Sequence, residues 1–110
     1  MNIDNSKAQL RKGILEFCVL ALLKRGEAYP SDLIKALKDA DLIVVEGTLY
    51  PLLNRLKSAG LLTYRWEESN AGPPRKYYKL TPAGEKFYEE LKISWRGLSN
   101  AVETLIADNQ

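Results

Sequence analysis

Leucines at 49, 52, 53 and 56 recur at i, i+3, i+4 and i+7, which lays one apolar stripe along a helix. At 100° per residue the opposite side carries Gly47, Asn54 and Ser58, and Thr48, Tyr50, Arg55 and Lys57 flank it. Pro51 is expected near the first turn, because a deeper proline costs a backbone hydrogen bond. Gly60 is expected to close the helix. Leu62, Tyr64 and Trp66 then alternate with Thr63 and Arg65, a half-buried strand. Tyr78 and Leu80 alternate with Tyr77 and Lys79 to give its partner. Between them lies the turn-rich run Ser69-Asn70-Ala71-Gly72-Pro73-Pro74.

Upstream, Leu10, Ile14, Leu15, Phe17, Cys18 and Leu22 are apolar nearly all round, as in a helix buried on several sides. Lys7, Arg11 and Lys12 mark its start, and Lys24-Arg25-Gly26 its end. Pro30-Ser31-Asp32 opens a second short helix with Leu33, Ile34 and Leu37 inward, and Asp39-Ala40-Asp41 ends it. An apolar step, Leu42-Ile43-Val44-Val45, leads into the third. The predicted class is mainly α with a small β-hairpin (α+β): three helices and a hairpin in the winged helix-turn-helix order, residues 1–80, then a long C-terminal helix, 81–110. That last helix starts at Thr81-Pro82, a capping hydroxyl followed by proline. Phe87, Leu91, Trp95, Leu98, Val102 and Leu105 follow at spacings of 4, 4, 3, 4 and 3. Such a seam would stay wet on a lone helix, so a homodimer is expected to bury it.

Composition narrows the function. The 110 residues make one domain, 45% hydrophobic and 27% charged, with a net charge of only +2. A nucleic-acid role must therefore rest on where the basic residues sit. The lone Cys18 excludes an internal disulfide, and its apolar setting reads as a buried core thiol. The absence of histidine removes imidazole bases and His-metal sites. No acid/base pair, phosphate loop, metal or cofactor motif is suggested, so the chain is not expected to be an enzyme. The apolar run 14–23 is too short for a membrane span and contains Glu16, and a cytoplasmic location is expected.

Two blocks carry a family resemblance. Gly47-Thr48-Leu49-Tyr50-Pro51-Leu52-Leu53, Arg55-Leu56 and Gly60-Leu61-Leu62 resemble the signature of PadR-like transcriptional regulators. So do Gly72-Pro73-Pro74-Arg75-Lys76-Tyr77-Tyr78 and Leu80-Thr81-Pro82-Ala83-Gly84. The single C-terminal helix is similar to the short subclass. The resemblance implies a winged-helix dimer that usually represses transcription and is often released by a small molecule. It puts Thr48, Tyr50, Asn54 and Arg55 on a recognition helix, with Tyr50 meeting DNA and Arg75 and Lys76 on a basic wing. One departure is that family members often place Ser, Thr or Asn before this helix, where this chain has Val44 and Val45.

The major groove admits one helix, and Thr48, Tyr50 and Asn54 suit base edges or phosphates. Arg55 and Lys57 suit phosphate, as do Arg75 and Lys76 on the wing. A solvated helix face and an ordinary charged hairpin are the bland alternatives. Glu67 and Glu68 are expected to sit away from phosphate. Lys7, Arg11 and Lys12 either touch flanking phosphates or are merely solvated. Tyr77 and Tyr78 are expected to brace the wing rather than stack on nucleotides. Trp95, with Leu91 and Leu98 as walls, either clamps a planar aromatic effector between subunits or simply fills the interface. The expected partners are a pseudo-palindromic double-stranded DNA operator, a second copy of the chain, and a small aromatic or hydrophobic ligand. The rival reading is a winged helix that binds a protein partner instead of DNA.

Overall fold

In a computed structural model the elements run α1 (Ile3–Lys24), α2 (Pro30–Asp39), α3 (Glu46–Ser58), β1 (Leu62–Ser69), β2 (Gly72–Leu80) and α4 (Pro82–Ala107). Residues 1–69 and 71–109 are described. Asn70 of the expected hairpin loop and Gln110 at the end of the expected C-terminal segment lie outside them. The order is the α+β winged-helix arrangement that the periodicities predict.

The leucine stripe decides how α3 sits. Leu49, Leu52, Leu53 and Leu56 are all buried, against Val19, Leu20 and Leu23 of α1, Leu33 and Leu37 of α2, and Leu62, Tyr78 and Leu80 of the hairpin. Truncating one such leucine to alanine costs about 2–5 kcal/mol, a large share of a small domain's stability. With the stripe locked inward, Thr48, Tyr50, Asn54, Arg55 and Lys57 are all exposed. Val45 is the N-cap and makes no side-chain capping bond, so α3 begins at Glu46 without the usual hydroxyl. Its C-terminus is well closed. Gly60, at φ +80, donates to Lys57 O at 2.9 Å, and Leu61 N–H donates to Leu56 O at 3.0 Å.

β1 and β2 pair antiparallel, with Leu62 opposite Leu80, Tyr64 opposite Tyr78 and Trp66 opposite Lys76. Ala28 and Tyr78 exchange backbone hydrogen bonds of 3.0 and 2.9 Å, which tie the hairpin to the α1–α2 connection. Thr81 Oγ1 accepts from Gly84 N–H at 3.0 Å, capping α4, and donates to Gly60 O at 2.6 Å.

Five details differ from the sequence expectations. Helix α1 begins at Ile3, and its N-terminal half is not buried: Leu10 is 76% exposed, because only Val19, Leu20 and Leu23 reach the core fully. Lys7, Arg11 and Lys12 therefore lie within the helix rather than at its start. Pro51 is the sixth residue of α3, beyond the first turn, so Gly47 O lacks its usual i+4 donor. Gly72-Pro73-Pro74 belongs to β2 rather than to the loop. An irregularity between Glu67 and Ser69 leaves β2 one residue longer there, which accommodates residues without a donor N–H. Trp66 breaks the inward alternation at 60% exposure, since the hairpin has by then run past the helices that cover Tyr64. Cys18 is half-buried, and the desolvation it does experience pushes its thiol pKa up.

Candidate nucleic-acid interface

Two elements converge on one side of the molecule, the outer face of α3 and the hairpin. Lys57 and Lys76 both lie against the ring of Tyr64, with Nζ 5.1 and 4.5 Å from its centroid. Lys76 also lies 5.6 Å from the Trp66 ring. The Arg75 guanidinium sits 3.9 Å above Tyr29, the residue just before α2, and Tyr29 in turn packs on Tyr77 at 4.6 Å. These cations are held by ring faces, an attraction of about 0.5–1 kcal/mol at exposed sites.

Carboxylates are used elsewhere. Arg65 pairs with Glu67 and with Glu27, the latter at 3.1 Å, and these hydrogen bonds raise its already high pKa. Among the described residues, Arg55, Lys57, Arg75 and Lys76 have no ion-pair partner. A cation positioned by a π face keeps its full charge for an incoming phosphate, whereas one neutralised by a carboxylate does not. Net charge of +2 hides this local concentration.

Tyr50, 43% exposed, lines a cleft of about 330 Å³ together with Trp66, Arg75 and Lys76, so the recognition helix and wing share one concave surface. Thr48 lies on another side. It borders a separate apolar concavity of about 290 Å³ with Arg11, Lys12 and the Leu42–Val45 step. Asn54 and Arg55 stand exposed further along α3. The seven residues read from the sequence therefore divide: Tyr50, Arg75 and Lys76 around the cleft, Lys57 beside Tyr64, and Thr48, Asn54 and Arg55 on the remaining outer face of α3. Tyr78 is buried and packs on Tyr64 at 5.5 Å, while Tyr77 is half-buried between Tyr29 and Arg65, so both brace the wing. Burial, and then the neighbouring phenols of Tyr64 and Tyr50, raises the Tyr78 pKa.

Tyr29 and Trp66 were not legible as members of this surface. An aromatic residue before a proline carries no signal for a cation on a distant hairpin. The alternation that assigns Trp66 inward contains no information on where the core ends.

On α4, Leu91 packs partly into the core, whereas Trp95, Leu98, Val102 and Leu105 are exposed, with Leu98 at 62%. Phe17 of α1 stacks on Tyr88 at 5.8 Å and meets Trp95 at 6.4 Å, which fixes α4 along α1.

Residues 19–90 match the model of the transcriptional regulator PadR-like family. Solved structures agree. A PadR-like transcription factor from Bacteroides fragilis is 58% identical, covering 92% of this chain and 98% of its own, with a TM-score of 0.78. A PadR family regulator from Eggerthella lenta is 36% identical over 94% of this chain and 91% of its own, at a TM-score of 0.86. A PadR-like regulator from Bacillus cereus is 38% identical over 89% and 96%, at 0.79.

Proposed function

The chain belongs to the PadR-like family of transcriptional regulators and is a DNA-binding regulator rather than an enzyme, and we propose that it acts as a homodimeric repressor of a pseudo-palindromic operator. The observation that carries the reading of the surface is the set of unpaired cations held on aromatic rings beside the exposed face of α3. Tyr50, Thr48 and Asn54 read base edges in the major groove. Arg55, Lys57, Arg75 and Lys76 neutralise phosphates and set the register.

Dimerisation comes through residues 81–110. Phe87, Leu91, Trp95, Leu98, Val102 and Leu105 form the seam, and the exposure of its outer half in the single chain supports burial against a second copy. Two recognition helices related by a two-fold axis then enter successive major grooves about 34 Å apart. Trp95, walled by Leu91 and Leu98, takes a planar aromatic or hydrophobic effector, and Phe17 connects that site to α1. The protein works in the cytoplasm, where its operator is.

The test is titration of the protein against duplexes selected from its source genome and against random duplexes, with and without planar aromatic compounds. The repressor reading requires preference for the selected sites, binding as a dimer, and lower transcription from the bound promoter. Equal affinity for selected and random DNA would sink it. An effector at Trp95 must quench indole emission and change operator affinity.

A further inference from the structure

Trp66 is more exposed than either Tyr50 or Trp95, yet it stands on the same side of the molecule as the recognition helix. Its indole is not loose. It meets Tyr64 edge-on, with centroids 5.9 Å apart and planes at 86°, and it faces Lys76 across the hairpin. Trp66 walls the cleft of about 330 Å³ from the wing side, Tyr50 walls it from α3, and Arg75 and Lys76 bring two cations to it.

The cleft is too narrow for a folded partner or a helix, and its mixed apolar and cationic lining selects an extended anionic chain with an apolar element between charges. A sugar–phosphate strand has that alternation, phosphate followed by the C–H face of deoxyribose. The docking geometry requires such a strand here. With α3 in the major groove and the wing reaching the neighbouring backbone or minor groove, the strand dividing the two grooves passes between helix and wing.

Resting on the DNA-binding reading of this surface, we propose that the cleft between α3 and the wing holds one sugar–phosphate strand, with Trp66 packed on a deoxyribose and Arg75 and Lys76 on the phosphates. Stacking of Trp66 between bases is the less economical arrangement, since it requires unstacking the duplex. Trp66 thus contributes sequence-independent affinity and holds the register in which Tyr50 reads. Glu46 is the carboxylate on the cleft wall and opposes the strand.

The test uses the full-length protein, a genome-selected duplex and a random duplex of equal length. W66A is expected to bind both about tenfold more weakly, as for a truncated aromatic anchor, with the selected-to-random ratio and the salt slope unchanged. W66F is expected to recover most of the loss. Because Trp66 is exposed, both variants should melt close to the parent protein. DNA should alter the parent's indole emission and protect it from acrylamide, and W66F, which keeps Trp95, should lose that response. The proposal is overturned if W66A binds as tightly as the parent, if its selected-to-random ratio falls, or if W66F retains the emission change. Failure of the parent protein to bind either duplex overturns the DNA-binding reading along with it.

Discussion

Gly84 lies so close to the backbone of Leu61 that a Cβ there would overlap the Leu61 carbonyl oxygen. Leu61 is the residue whose N–H closes α3 onto Leu56, and its carbonyl accepts from Thr81 N–H at 3.0 Å. The first turn of α4 is therefore laid directly on the C-terminal cap of the recognition helix. That contact joins the element proposed to dimerise to the element that reads DNA.

Gly84→Ala must push these backbones apart. It is expected to lower stability by about 1–3 kcal/mol, as overpacking does, despite alanine's better helix propensity. Gly13→Ala, in α1 with open space where its Cβ would stand, should instead be stabilising by about 0.5–1 kcal/mol. Thermal unfolding of the two variants checks the contrast, and equal shifts would contradict the close packing.

Tyr50 and the wing cations should fail differently. Tyr50→Ala is expected to weaken binding to a selected site more than to random DNA. The double variant Arg75→Ala and Lys76→Ala should weaken both and reduce the salt slope by about 2, one unit for each lost phosphate contact. Affinities measured across a salt series separate the two patterns.

Leu98→Glu places a charge on a position already open to solvent in the single chain. The variant should keep its helical content but shift to monomer in sedimentation, with a large loss of operator affinity. A dimer that survives this change argues against the α4 seam.

Alkaline pH should destabilise the fold. The thiol of Cys18 and the phenol of Tyr78 both have pKa values raised by burial. Above the ordinary thiol range the unfolded chain releases protons that the folded chain still holds, so stability is full at neutral pH. It then falls as pH rises through the thiol and phenol ranges toward the raised folded-state values. Denaturant midpoints from pH 7 to 11 should decline. Cys18 should also alkylate more slowly than a free thiol at pH 8, and an unchanged rate would contradict the desolvation.

The chain's local patterns determined the elements. The 3.6-residue spacing of Leu49, Leu52, Leu53 and Leu56, the alternation at Leu62, Tyr64, Tyr78 and Leu80, and the Thr81-Pro82 cap each act over a few residues. Their physics is complete within the segment. Exposure of Tyr50, Asn54 and Arg55 followed from the same stripe, because a helix with one side buried has the other in water. Tertiary structure alone decided the rest: that Leu10 lies beyond the core, that Trp66 overhangs the cleft, that Tyr29 carries Arg75, and that Glu27 and Glu67 neutralise Arg65 while leaving Arg75 and Lys76 charged. Each of these depends on where separate elements stop and meet in space, and no local spacing encodes a distance between groups brought together only by the packed core.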